Sequence, residues 1–459
     1  MRRFFSDDSL AQQVEHIPFK DGVLGSNPRR ITCKSVFTLL SMNSKESILS
    51  AIHHQNPERV PVDLGATPSS GISLVAYQHL IKYLGKSHLK SYVYDVIQEV
   101  VQPEMELLDD FHVDVLDIGR YFNTDPSYWH ELEVISGYPA LYPGWFTIQK
   151  QPNGSNLGIS PSSGEAIGIM PQGATFFDQL IFPYLDGFPA DYSNLPEEMK
   201  RAVWGGFGFT PWDWSDKPDF WQFLREKTIE LKNKTDKALL LGIGCNLFEW
   251  GSFLRRLDQF LMDLLMEPHK VHALLDALME SHLATLQKTC EAVGDVIDII
   301  KFGDDLGMIN GPFFSSEIYR EYFKPRHKML CDYVKAHSSM HTMLHCCGGI
   351  YELMPDLIDA GFEILNPIQI NAKDMEPERL KKEFGKDVTF WGGGCDTGRI
   401  LNRATPAEVK KHVLHNLEVF SQGGGFVFTT VHNIMPDVPP ENIVAMFDAV
   451  NEFNGVTSY

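Results

Sequence analysis

From residue 44 onward the chain alternates short apolar runs of strand length with longer stretches in which apolar residues recur every three to four positions. The runs at 59–65, 113–119, 238–244, 296–302, 340–346, 362–366, 388–391 and 426–431 predict strands. The longer stretches predict helices at 44–53, 74–84 and 94–111, then near 253–265, 268–293, 316–336, 350–359, 376–384, 406–421 and 440–453. Eight such strands, each followed by helical sequence, predict an α/β fold of the (β/α)8 TIM-barrel type. A doubly wound sheet is the alternative, but no Gly-x-Gly-x-x-Gly opens a helix after an early strand.

Two stretches depart from this rhythm. Between 120 and 237 lie six of the eight tryptophans, many prolines, and alternating segments at 145–149 and 157–160 on either side of Pro152-Asn-Gly154. This pattern predicts an aromatic-rich β-hairpin insertion after the second strand. A long insertion of this kind suits a lid or binding loop, and equally an oligomer contact or a satellite core. Residues 1–41 carry no periodic apolar pattern and are expected to be disordered or a mis-translated extension of a barrel that occupies 42–459. Leu10 to His16 and Gly25-Ser-Asn-Pro28 resemble the text obtained when a transfer-RNA gene is translated, which makes Met42 the expected start. Peptides from before Met42 in a mass spectrum of the native protein would overturn that expectation.

Composition narrows the partners. Lys and Arg number 40 against 60 Asp and Glu, a net charge of −20 that disfavours nucleic acid and anionic membrane surfaces. Seven cysteines without a clustered framework read as reduced thiols of a cytoplasmic protein. No run approaches the ~18 to 20 apolar residues of a membrane span. A homodimer stays open.

The candidate chemistry gathers where the expected strands end, the face on which barrel active sites are built. There stand Cys245, Asn246 and Glu249, then Asp304 and Asp305, then His345-Cys346-Cys347, Gln369, Cys395-Asp396-Thr397, and His432-Asn433. In a strand His345 and Cys347 share one face and Cys346 the other, so an imidazole and a thiol point together, a donor pair suited to Zn2+. The same residues would also serve as a core histidine and buried thiols. A catalytic zinc needs a third protein ligand, and His432 and Cys395 compete for that place. Asp304 and Asp305 offer one inward carboxylate for acid, base or substrate-holding work and one that braces the loop. Glu249 is a weaker candidate for a displaceable ligand.

From about Met42 to the C-terminus the chain resembles the uroporphyrinogen decarboxylase superfamily, and within it the zinc-dependent, corrinoid-linked methyltransferases such as methylcobamide:coenzyme M methyltransferase. The resemblance rests on His345-x-Cys347-Gly348, on Thr397 to Val409 (Thr-Gly-Arg-Ile-Leu-Asn-Arg-Ala-Thr-Pro-Ala-Glu-Val), and on His432-Asn-Ile-Met-Pro436 followed by Pro439-Pro-Glu-Asn-Ile443. It implies a zinc site on His345 and Cys347, with His432 where that branch carries a later cysteine. It also implies a corrinoid protein as partner and a small methylated substrate or thiol. The loop 65–71 lacks the arginines that would grip propionates in a porphyrinogen decarboxylase. A carboxy-lyase would draw its cationic grips from Arg255, Arg256 and Arg399, and a non-catalytic corrinoid-protein partner is the remaining alternative.

Overall fold

The computed structural model describes residues 42–457, so the expectation for residues 1–41 lies outside the described residues. Seven strands form one curled parallel sheet in chain order: β1 (Val115–Asp117), β2 (Ala238–Gly244), β3 (Ile299–Gly303), β4 (His341–His345), β5 (Ile364–Asn366), β6 (Thr389–Trp391) and β7 (Phe426–Val427). The stretch at 59–65, expected as a strand, is not a regular one. Its middle joins the two edges of the sheet instead. Asp63 N–H donates to the Phe428 carbonyl and Phe428 N–H to that of Pro61, both at 2.8 Å, while on the other side Asp114 N–H donates to the Val62 carbonyl at 2.8 Å. Pro61 has no N–H to give, which interrupts the ladder there.

Alternation along the strands sorts the core into two layers. Val115, Ala238, Leu240, Ile299, Met343, Ile364, Trp391 and Val427 pack together inside the curl, and Ile48, Ala51 and Ile52 of helix α1 (Ser44–Ile52) close that cluster. The intervening residues, such as Leu239, Ile300, Leu344, Leu365 and Phe390, face outward to the helices. Two further residues along four of these strands, the inward positions turn polar: Asp117 on β1, Lys301 on β3, His345 on β4 and Asn366 on β5. A period of two therefore carries a dry floor directly into a polar mouth.

Three helical expectations change. Residues 94–111 contain an antiparallel pair, Val93–Asp95 with Val100–Val101, and only then a helix, Met105–Asp110. Val93, Val96, Ile97, Val100 and Val101 are all buried, so burial on every side erased the periodicity that separates helix from strand, and Pro103 bars a helix running through. The pattern at 253–265 is two helices, α2 (Phe248–Arg255) and Leu257–Met266, broken at Arg256 with φ +69°. Within 316–336 a π-turn at Tyr319–Phe323 precedes the helix Lys324–His337, where Pro325 lacks the N–H an α-turn would use.

Between β1 and β2 the chain forms two antiparallel sheets. Trp129–Leu132 pairs with Ala140–Pro143, and Thr147–Lys150, Asn156–Ile159, Ala166–Met170 and Asp178–Gln179 make a four-stranded meander. Its indoles are anchored: Trp212 Nε1 donates to the Gly242 carbonyl on β2 at 2.7 Å, and Trp129 and Trp214 both donate to Asn123.

The hairpin loop between Val93 and Val101 places Glu99, fully buried with φ +54°, against the Tyr142 hydroxyl, which donates to it. Burial pushes its carboxyl up to about 8. The folded value lies above the unfolded one, so the stability this proton confers is complete below the unfolded pKa and is lost as pH rises through about 8. Urea midpoints measured near pH 5 and near pH 9 should therefore fall less in Glu99→Gln than in the wild type. An unchanged slope would show that Glu99 is ionised throughout.

Candidate metal centre

His345 ends β4, Cys347 follows two residues later, and His432 comes from the loop after β7. Their ligand atoms all lie within 4.8 Å of one another, and this is the metal-capable cluster found among the described residues. His345 Nε2 is 3.4 Å from Cys347 Sγ, and the two imidazole centroids are 6.0 Å apart. Cys346 points to the other side of the strand, fully buried in the outer layer, as the alternation requires. Gly348 turns the chain at φ +94°, and a Cβ there would sit 2.2 Å from the Gly307 carbonyl carbon, so the loop that aims Cys347 demands glycine.

The imidazoles are oriented before any ion arrives. Asn366 Nδ2 donates to the Trp391 carbonyl at 3.0 Å, which turns its Oδ1 to His345 Nδ1 at 2.9 Å. His345 therefore carries its proton on Nδ1 and presents the Nε2 lone pair. His432 Nδ1 meets Asn433 Oδ1 at 2.7 Å in the same way. Burial and the nearby Lys301 ammonium push His345 down to about 4, which keeps it neutral. Burial, and next the Asp305 carboxylate, push the Cys347 thiol well above its usual range. With protein groups alone the thiolate is disfavoured, and a divalent cation supplies the charge that would favour it. A His2Cys set of two neutral imidazoles and one thiolate fits Zn2+.

Cys395 does not join the cluster. It is fully buried beside Thr430, its carbonyl accepting from Val431 N–H at 2.9 Å. Cys395→Ala should keep the zinc content of the wild type, measured by plasma mass spectrometry, and loss of metal there would return Cys395 to the ligand set.

The two adjacent aspartates divide their work. Asp304 is fully buried and its carboxylate accepts from Phe248 N–H at 3.1 Å and Glu249 N–H at 2.9 Å, bracing the start of α2, with His327 Nε2 at 3.2 Å. Asp305, its side chain 36% exposed, faces the metal cluster: Oδ1 accepts from Cys347 N–H at 2.7 Å and lies 3.7 Å from His345 Nε2. Glu249 Oε2 accepts from Asn246 and from Asp305 N–H. Burial, reinforced by Asp305 and Asp304, pushes the Glu249 carboxyl well above the carboxylate range.

Several lumen residues were not singled out from sequence. The Lys301 ammonium makes no ion pair or hydrogen bond among the described residues, yet lies in electrostatic reach of Glu249, Asp117, Asp305 and Cys347. Asp63 accepts from Trp391 Nε1 at 2.8 Å, and burial pushes it up to about 6. A lysine inside the apolar run Ile299-Ile-Lys-Phe-Gly303 and an aspartate inside Val115-Leu-Asp117 were the available signals, since charge in mid-strand needs a reason. Of the proposed cationic grips, Arg255 is bound to Asp263 at 2.7 Å and Arg256 to Asp258 at 2.6 Å. Arg399 is exposed.

Residues 244–453, from the end of β2 to the last helix, match the family model for uroporphyrinogen decarboxylase (URO-D). Over that stretch the chain is similar to the uroporphyrinogen decarboxylase family. Uroporphyrinogen decarboxylases of Pseudoalteromonas translucida and Chlorobaculum tepidum are 27% and 25% identical over 192 and 189 residues, 41% and 40% of this chain. The chain spans about half the length of these curated relatives, 50% of each. A methyltransferase from Methanosarcina mazei shares the fold of this chain at a TM-score of 0.53 and 15% identity, over 90% of this chain and 99% of that one. No helix among the described residues is long and apolar enough to cross a membrane.

Proposed function

We propose that this protein is a zinc-dependent methyltransferase that moves a methyl group between a small methylated substrate, or a thiol, and a corrinoid held on a partner protein. The observation that carries the reading is the convergence of His345, Cys347 and His432 at the mouth of the curled sheet. His345 and His432 would hold the ion as neutral imidazoles and Cys347 as a thiolate. Zinc, when bound, supplies Lewis acidity that lowers the pKa of a thiol or polarises a methylated heteroatom. Asp305 secures the Cys347 backbone and keeps a carboxylate beside the site. Burial and the neighbouring Asp305 and Asp304 push the Glu249 carboxyl upward, which favours its proton-bearing form, and from Oε1 it would give a proton to a leaving heteroatom, since Oε2 is occupied by Asn246 and Asp305.

The test is methylcobalamin demethylation by the zinc-loaded chain with 2-mercaptoethanol as acceptor, followed by the absorbance of cob(I)alamin. Turnover that disappears in Cys347→Ala supports the reading. A fully loaded protein that shows no transfer with thiol or amine acceptors counts against it. A carboxy-lyase is the second reading, favoured by the decarboxylase names of the relatives, and it requires carbon dioxide release from a porphyrinogen by metal-stripped protein.

A further inference from the structure

A narrow recess lies beside the lumen, lined by Gly65, Tyr94, Gln102, Asp117, Arg120 and Thr210. It belongs to the same end of the sheet as the metal centre, because Asp117 is the last residue of β1 and Gly65 follows the segment that bridges the sheet edges. Thr210 from the insertion closes its outer side so tightly that a Cβ on Gly119 would meet the Thr210 carbonyl oxygen at 2.3 Å.

Two donors in this recess are left over. Arg120 Nη1 donates to the Pro103 carbonyl, but its Nε is buried without a partner, and no carboxylate among the described residues forms an ion pair with it. The Tyr94 hydroxyl is likewise buried without a partner, on a side chain only 6% exposed. Buried donors are almost always satisfied, and a guanidinium left this way is costly. Asp117 lies in electrostatic reach of Arg120 but forms no ion pair with it: its Oδ1 is turned to Gly119 N–H at 2.6 Å, and burial pushes its carboxyl up to about 7. Asp117 also lies in electrostatic reach of Lys301, which in turn reaches His345 and Cys347, so the recess and the metal centre share one polar wall. In this chain an arginine from the loop after β1 stands against Gly65, at the very loop that carries no arginine of its own.

We infer that the recess is an anion subsite in which Arg120 and the Tyr94 hydroxyl bind the carboxylate of a small carboxylic acid, whose other end reaches the metal centre. A planar carboxylate offers two oxygens to two donors and gains charge-assisted bonds from the guanidinium. The reach to the metal centre rests on the methyl-transfer reading; the anion subsite does not.

The test uses the zinc-loaded full chain with benzoate, its neutral isostere benzamide, and sulfate as probes, read by calorimetry and by the shift in melting temperature. Benzoate should bind and raise the melting temperature, benzamide should not, and sulfate should bind more weakly. Arg120→Met should weaken benzoate at least tenfold and Arg120→Lys should recover part of that. Tyr94→Phe should weaken it severalfold while the unliganded melting temperature stays put, because that hydroxyl holds nothing in the folded chain. Zinc content should be unchanged in all three variants. Equal binding of benzoate and benzamide, undiminished binding in Tyr94→Phe and Arg120→Met, tighter binding of sulfate, or no benzoate binding at all would each overturn the assignment. Arg120-dependent benzoate binding by a chain that takes up no zinc would uphold the subsite and count against the methyl-transfer reading.

Discussion

Zinc content should fall from about one ion per chain in the wild type to near zero in Cys347→Ala, and should fall as far in His432→Ala. The reason lies in the number and charge of the donors. Two neutral imidazoles and one thiolate form the smallest set that holds a catalytic zinc, and Cys347 supplies its only negative donor atom. Asn366→Ala should give a smaller loss, a weakening of metal affinity by about 10- to 100-fold, because it frees the His345 ring without removing a ligand. Plasma mass spectrometry after purification without chelators measures the first effect, and competition with a chromogenic chelator measures the second. A wild-type chain that takes up no zinc would sink the metal centre. A His432→Ala variant with full zinc would show that the third ligand lies elsewhere.

Asp304→Ala should cost about 3–5 kcal/mol of folding stability, whereas Asp305→Ala should cost about 1 kcal/mol or less. These residues are neighbours in sequence and opposites in environment. Asp304 is fully buried, and its removal strands two backbone N–H groups at the start of α2 and takes the carboxylate away from beside the buried His327 ring. Asp305 is partly exposed, and what it loses is its bond to Cys347 N–H, so the penalty should appear in metal affinity. Urea denaturation of the two variants, with zinc content measured alongside, separates the roles. Equal stability losses would mean that both carboxylates serve the fold.

The legible part of the site was the part carried by strand parity. His345 and Cys347 lie on one face because side chains alternate, and Cys346 falls into the outer layer for the same reason. The helices from 268 onward, apart from the π-turn at Tyr319–Phe323, were legible because they have one wet face and one buried face. The hairpin at 93–101 was not, since a segment buried on all sides shows no contrast between faces. Nor was the first strand legible as it stands, because the pairing of 61–63 with both sheet edges depends on partners some 50 and 365 residues away.

Local sequence alone determined the alternating α/β plan, the polar ends of the strands, the His-x-Cys pair and the glycine that turns the chain after it. Tertiary structure decided the rest. Whether His432 or Cys395 stands beside that pair depends on how far each loop curls over the mouth, which no local pattern encodes. Which of two adjacent aspartates is buried depends on the helix that packs against one of them. That Arg120 and Lys301 face the lumen with unmatched donors follows from the curl of the sheet, which brings residues from distant strands around one enclosed space where each charge is felt strongly.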